Sequence, residues 1–422
     1  ISAQDSSEDT SSRPKIGLVL SGGGARGAAH IGVLKVLEEN HIPVDMIAGT
    51  SSGAMVGGLY ALGYSPSEIE DIIANIDWEE IFSSQSHRHQ RSFRRKQDDA
   101  DFLIKFKIGY KGGKLKLPSG LVEPHNLRLT LRDLVESVGE VKNFDNLPIP
   151  FRAVATDLET GRAVVLATGN LGDAMVASMA VPALFPPVEW DRKLLVDGGV
   201  ANNVPIDVAR AMGTDIVIVV DISSPLMKKE EITSFTAVID QLTMLMTHQT
   251  SSAQLATLTD RDILIVPELG GTTLLGFDRL IQAIPIGVAS ANKVLQQLQS
   301  LSLSPEIWHA HKKNRTIKSE ENPVIDFIHI VNNTQVADGF IRAHLSQELG
   351  QKLDPKALTA DLTTLYGLEL FEEINYSIIE ENSEKGIGIN ARSLKNGEDF
   401  FRFNLALHNN FEGKSGYQLA LG

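Results

Sequence analysis

From Lys15 onward the chain alternates short, continuous apolar runs with polar turns and helix-like stretches. The runs are Ile16 to Leu20, Val44 to Ala48, Phe151 to Thr156, Ala163 to Leu166, Leu194 to Val196, Ile216 to Val220 and Ile263 to Val266. None alternates apolar with polar positions, as expected for strands buried on both faces of a mostly parallel sheet. Helical spacing separates several of them, first over Ala28 to Glu39. Ser65, Pro66 and Glu68 form a capping box with proline at the first helical position, which marks another helix start. The pattern predicts an α/β layered domain with a mostly parallel central sheet over residues 15–310.

The two ends read differently. Residues 1–14 are rich in Ser, Asp, Glu and Thr and are expected to be a flexible leader. The stretch HAHKKNRTIKSEEN at 309–322 is polar and charged, and 311–322 is expected to be a linker. A strand over Pro323 to Val331, helices near 337–350 and 355–366, and strands near 371–379 and 386–393 make a small α+β module at 323–393 in the order β-α-α-β-β. In the tail, 394–422, Phe401, Phe403, Leu405 and Leu407 alternate with Arg402, Asn404, Ala406 and His408. Tyr417, Leu419 and Leu421 repeat that period of two, so a C-terminal β-hairpin is predicted. No third run follows, and the natural chain is expected to continue past Gly422.

Composition narrows the function classes. At 42% hydrophobic and 22% charged residues, the chain is neither disordered nor a coiled coil. Its 422 residues suggest two or three domains. A net charge of −14 argues against a nucleic-acid binder. Cysteine is absent, which removes disulfides, thiolate metal sites and cysteine nucleophiles and suits an exported protein. The chain begins at Ile1, and a signal peptide is expected to have been removed before it.

Two glycine-rich turns carry the candidate chemistry. In SGGGARG, Gly22, Gly24 and Gly27 match the spacing of a dinucleotide fingerprint between a strand and a helix. That reading also wants an acidic residue for the ribose at the end of the second strand. Asp45 is nearest in spacing, but it falls at the start of that strand. The strand ends instead in GTSSG, where Gly49, Ser51 and Gly53 have G-x-S-x-G spacing before a helix-like stretch. This is the strand–turn–helix setting of a nucleophilic serine. Backbone N–H groups of the neighbouring glycine loop are then placed to hold an oxyanion. A serine needs a base. His30, His41, His87, His89 and His125 offer no evident partner. The better candidate is Asp197, in VDGG at another strand end, where Gly198 and Gly199 permit close approach; the competing reading is an ordinary turn aspartate.

SGGGARG, GTSSG and DGG, in this order and spacing, resemble the patatin-like phospholipases over residues 15–310. The resemblance implies Ser51 as nucleophile, Asp197 as base and an oxyanion hole from Gly22, Gly23 and Gly24, with Arg26, Gly27, Gly49, Gly53, Gly198 and Gly199 completing the motifs. It implies a Ser–Asp dyad rather than a triad, and no cofactor or metal. The expected activity is a lipid acyl hydrolase of the phospholipase A type acting on phospholipid at a membrane surface. The rival reading is a nucleotide-binding regulatory domain that uses the glycine loop for phosphates.

The 323–393 module resembles a polypeptide-transport-associated (POTRA) domain in element order and in FIHIVNN and LYGLELFEEINY. With the hairpin behind it, the arrangement resembles bacterial patatin proteins fused to an outer-membrane barrel. This implies an outer-membrane location with the patatin domain exported or surface-exposed. The alternative is a dimerisation module, with a homodimer as the assembly. Ten basic residues between Arg88 and Lys116, against Asp98, Asp99 and Asp101, make a local charge of +7 (10 − 3). Arg91, Arg94, Arg95 and Lys96 in it are candidate contacts to anionic lipid; the competing reading is a solvated loop. LLGFDRLIQAIPIG, Leu274 to Gly287, is either lipid-dipping or core.

Overall fold

The computed structural model describes residues 13–81, 107–111, 113–116, 120, 122, 124–136, 142–223, 226–270, 276–315, 322–394, 399–409 and 415–421. Its strands, numbered along the chain, are β1 (Ile16–Leu20), β2 (Met46–Thr50), β3 (Lys107–Lys111), β4 (Lys114–Lys116), β5 (Phe151–Asp157), β6 (Ala163–Leu166), β7 (Val188–Trp190) and β8 (Lys193–Asp197). They continue as β9 (Ile216–Val220), β10 (Ile263–Ile265), β11 (Phe327–Asn332), β12 (Glu373–Glu381), β13 (Glu384–Arg392), β14 (Asp399–Asn409) and β15 (Ser415–Leu421). The first helices are α1 (Ala28–Glu39), α2 (Ser52–Leu62) and α3 (Pro66–Asn75). The described residues fall into two compact units.

The first unit holds the described parts of 1–76, 141–180 and 188–317. Its sheet has the order β10-β9-β1-β2-β5-β8-β7, with β6 also paired to β5. The pairings from β10 to β5 are parallel, and those beyond β5 are antiparallel. Every residue of β1 and β9 is buried, which is why these runs are apolar throughout. The expected capping box starts α3: Glu68 N–H donates to Ser65 Oγ and Ser65 N–H to Glu68 Oε2. α1 packs backbone to backbone on the helix Ala283–Lys293. A Cβ on Gly32 would lie 2.0 Å from the Ile284 carbonyl oxygen, and one on Gly287 2.0 Å from that of Ala29. Because β1 and β2 run parallel, their carboxyl ends lie at one edge of the sheet, the usual site of ligands in such sheets.

The polar stretch at 309–322 is not linker from its start. The helix Pro305–Arg315 runs through it. Trp308 is buried and stacks on His41, and the Arg315 guanidinium lies 4.1 Å from the Tyr60 ring centre. Composition marked the residues as polar, but Trp308 just before the stretch and Arg315 within it are both buried. Of the segment Leu274 to Gly287, residues 274 and 275 lie outside the described residues; Leu280, Ala283 and Ile284 are core while Ile281 is exposed, so the described part is largely core.

The second unit holds the described parts of 77–140, 181–187 and 318–422. It contains the β-α-α-β-β order, with helices Asp338–Ala343 and Pro355–Tyr366 between β11 and β12. The sheet order is β11-β13-β12, parallel between β11 and β13 and antiparallel between β12 and β13. The first helix stops earlier than its pattern suggested. The Asp361 carboxylate takes both the N–H and the hydroxyl of Ser346, capturing the backbone there.

Helix His125–Glu136, read from sequence as part of 15–310, belongs to this second unit. Its Leu129 is buried in a core with Ile341, Leu358, Leu362, Phe371 and Ile389. Arg128 pairs with Glu373 at 2.5 Å, and Arg132 donates to the Tyr376 carbonyl at 3.0 Å. The predicted hairpin forms between β14 and β15 in antiparallel register, with Leu405 and Leu419 as backbone partners. On its other edge β14 pairs antiparallel with β3, giving the sheet order β15-β14-β3-β4. Part of the basic segment is thus strand rather than loop. Arg91, Arg94, Arg95 and Lys96 lie outside the described residues, as do His87 and His89.

Candidate active site

Ser51 sits between the last residue of β2 and the first of α2, with φ 53° and ψ −123°. A positive φ at a residue with a side chain costs about 1–3 kcal/mol and needs support from its surroundings. The flanking glycines are required by space. A Cβ on Gly49 would lie 2.5 Å from the Gly53 carbonyl oxygen, and one on Gly53 would lie 2.3 Å from that of Leu20. The first turn of α2 thus presses against the end of β1, and the Ser51 side chain is pushed out at the sheet edge.

Ser51 Oγ donates to Asp197 Oδ2 at 2.6 Å. Asp197 ends β8, one strand beyond β5, where Ala155 faces it in the pairing. Its other carboxylate oxygen accepts the Gly199 N–H at 2.7 Å, and its carbonyl accepts the Thr156 hydroxyl at 2.8 Å. Gly198 is dictated by contact, because a Cβ there would meet the Val154 carbonyl oxygen at 2.0 Å. Ser51 and Asp197 are only 6% and 5% exposed. Burial raises the Asp197 pKa to about 6, although the hydrogen bonds from Ser51 and Gly199 pull it down. A base that titrates near 6 and touches the hydroxyl is matched to proton abstraction near neutral pH.

The glycine loop lies against Ser51. A Cβ on Gly22 would fall 3.0 Å from Ser51 Cβ and 2.6 Å from Asn203 Oδ1. The N–H of Gly22 donates to the Asn203 carbonyl at 3.3 Å. This corrects the expected oxyanion set: a donor already spent on a carbonyl is not free for a reacting oxygen. Gly23 and Gly24 are left as donors, their N–H groups having no hydrogen-bond partner among the described residues. Gly24 takes φ 57°, left-handed backbone suited to glycine.

Arg26 and Gly27 support the loop. Arg26 is buried, donates to the Ile222 carbonyl at 3.1 Å and faces Asp221, which ties the loop to the end of β9. Burial lowers its pKa, and Asp221 opposes that. A Cβ on Gly27 would meet Ser52 Cβ at 2.5 Å, so this glycine lets α1 start against α2. His30 donates from Nε2 to the Ser21 carbonyl at 2.9 Å, and burial lowers its pKa to about 4, so it is neutral at pH 7. No histidine among the described residues bonds Ser51. Asp45 lies at the opposite end of β2, where it holds Arg13 at 2.5 Å and the Ile16 N–H. It is unavailable to a ribose beside the glycine loop.

Sequence reading missed Ser178 and Asn203. Ser178 Oγ accepts the Ser51 N–H at 2.8 Å. Neither residue has a distinctive local pattern, although Asn203 closely follows Asp197-Gly198-Gly199. Among the described residues, no group of three His, Asp or Glu is arranged to hold a metal ion.

Residues 18–210 match the family model of the patatin-like phospholipases. The N-terminal half of the chain carries a patatin-like phospholipase domain with that family's α/β fold, and both Ser51 and Asp197 lie within it. A patatin-like phospholipase domain-containing protein of Caenorhabditis elegans is 35% identical over 211 residues, 50% of this chain and 14% of that protein. An uncharacterized NTE family protein of Mycobacterium tuberculosis is 33% identical over 213 residues, 50% of each chain. Among solved structures, VipD from Legionella pneumophila is similar with a TM-score of 0.37 and 18% identity over 67% of each chain. The chain spans 14% of the length of the first relative and 50% of the second.

Proposed function

We propose that this protein is a serine lipid acyl hydrolase of the phospholipase A type. The observation that carries the reading is the 2.6 Å hydrogen bond from Ser51 Oγ to a buried Asp197 whose pKa is raised to about 6. Ser51 Oγ attacks the ester carbonyl carbon while Asp197 takes its proton. The carbonyl oxygen becomes an oxyanion that accepts hydrogen bonds from Gly23 and Gly24. Collapse expels the alcohol, which leaves with the proton from Asp197. Asp197 then deprotonates a water that attacks the acyl-Ser51 ester, and a second collapse frees the fatty acid and restores the hydroxyl. No cofactor enters any step. The substrate class follows from the patatin-like phospholipase domain; headgroup and ester position are open to a lipid panel.

That panel, run with wild type and Ser51→Ala, is the test. Free fatty acid released by wild type alone supports the reading, as does labelling of Ser51 by a fluorophosphonate. Equal release by both proteins sinks it. The nucleotide reading is weaker, because Asp45 is engaged with Arg13 and the glycine loop faces Ser51.

The remaining proposals concern location. The β-α-α-β-β order with a parallel β11–β13 pairing supports reading 323–393 as a POTRA-like module. The β14–β15 hairpin supports its reading as the start of an outer-membrane barrel, with the hydrolase domain exported. Further alternating segments in the full-length gene are the check. The Arg88 to Lys116 segment would draw the enzyme to anionic bilayers.

A further inference from the structure

We propose that Ser178 is a positioning residue of the active site, its hydroxyl holding the backbone of the nucleophile in its reactive turn. The inference rests on the reading of Ser51 and Asp197 as a catalytic pair and adds to it what keeps the two in register.

Ser51 caps α2, so its N–H lies outside the helical hydrogen bonds, and its positive φ makes the turn costly. The partner of that N–H is the Ser178 hydroxyl, at 2.8 Å. The same hydroxyl donates to the Val154 carbonyl at 2.5 Å. Ser178 has no exposed surface. A hydroxyl accepts and donates through a single atom, as this position requires, and alanine can do neither.

The segment that begins at Ser178 also reaches the base. The Ser178 carbonyl accepts the Gly198 N–H at 3.2 Å, and the Ala180 carbonyl accepts the Asp197 N–H at 2.8 Å. Val154 joins the two sides, because its carbonyl oxygen lies 2.0 Å from where a Cβ on Gly198 would be and its strand partner is Thr50. Three residues, 178–180, therefore hold the main chain of both Ser51 and Asp197. The engaged Ser51 N–H is also withdrawn from oxyanion binding, which leaves that role to the glycine loop. Without the hydroxyl, Ser51 N–H and the Val154 carbonyl are both buried without partners, and the turn relaxes away from Asp197.

Misplacing reacting atoms by about 1 Å costs on the order of 10²-fold in rate. The test compares Ser178→Ala, Ser178→Thr and Ser178→Cys in the full chain. The readouts are kcat and KM on a soluble short-chain ester, the rate of fluorophosphonate labelling, and thermal melting. Ser178→Ala is expected to lower kcat and labelling by about 10- to 100-fold with little change in KM. Ser178→Thr, which keeps the hydroxyl, is expected to recover most of the loss. If Ser178→Ala fails to fold, Ser178→Cys carries the comparison, since its thiol is a weak donor of similar size; it is expected to lower kcat without changing KM. A folded Ser178→Ala, or in its place a folded Ser178→Cys, with wild-type kcat and only a lower melting temperature would overturn the proposal. So would a folded Ser178→Thr as slow as Ser178→Ala. A wild-type protein that neither turns over esters nor labels would instead overturn the catalytic reading beneath it.

Discussion

Asp197 is held almost wholly out of water, and that burial raises its pKa from 3.8 to about 6. The raised value has opposite consequences for stability and for chemistry. Between these two pKa values the folded protein binds more protons at this group than the unfolded chain, so stability falls as pH rises. Below pH about 3.8 there is no penalty from this carboxyl; above about 6 it is complete, at roughly 3 kcal/mol on the scale of about 1.4 kcal/mol per unit. Asp197→Asn removes the charge but keeps groups able to meet Ser51 Oγ and Gly199 N–H. It is expected to abolish most ester turnover while raising stability at pH 7–8 by on the order of 1–3 kcal/mol. The gain should fade toward pH 4, as denaturant melts across the pH range would show. In wild type, kcat/KM should fall about tenfold per unit below pH about 6, where the base becomes protonated. A flat acid limb would place the base elsewhere.

At the scale of elements, glycine allows strands and helices to approach closely enough to assemble the edge. Gly24 begins the 3-10 turn Gly24–Gly27 in left-handed backbone beside its free N–H. Gly24→Val is expected to reduce kcat by on the order of 10²–10³-fold, the size of effect known for removing one oxyanion donor. Full activity in that variant would exclude this donor. Gly32 works differently, by letting α1 lie against Ala283–Lys293. Gly32→Ala forces a Cβ onto a backbone oxygen, and overpacking of this kind costs about 1–3 kcal/mol. A melting temperature lowered by several degrees with little change in KM is the expected result, measured by calorimetry and short-chain ester kinetics. The first variant thus tests chemistry and the second tests packing.

For the molecule as a whole, net charge and local charge oppose each other. A chain of −14 is repelled by an anionic bilayer, while the segment from Arg88 to Lys116 carries +7 (10 − 3). Surface attraction decays over ~8 Å at physiological salt. Replacing Arg91, Arg94, Arg95 and Lys96 by Gln is expected to weaken binding to anionic vesicles, more at low salt than at high. Hydrolysis of a soluble short-chain ester should be nearly unchanged. Sedimentation with vesicles and a parallel ester assay separate the two; equal losses on both would make the segment structural.

The apolar runs located the strands of the parallel sheet to within two residues, because a strand buried on both faces must be apolar throughout. SGGGARG, GTSSG and DGG were legible for a related reason. Glycines where backbones touch leave a mark in the sequence, and Gly49, Gly53 and Gly198 each abut a carbonyl oxygen. Pairings set by the fold alone left no such mark. Ser178 lies 127 residues from Ser51, and its role depends on where the end of one helix meets another strand's turn. Asn203 takes the Gly22 N–H through its backbone, which no side-chain motif records. The helix His125–Glu136 shows the same limit: its unit is set by Leu129 packing with residues such as Ile341 and Ile389, far along the chain. The sequence by itself determined the parallel sheet and the motif residues at its edge. Tertiary structure alone decided which donors stay free, what holds the Ser51 N–H and which unit each helix joins, because those depend on contacts between residues far apart in the chain.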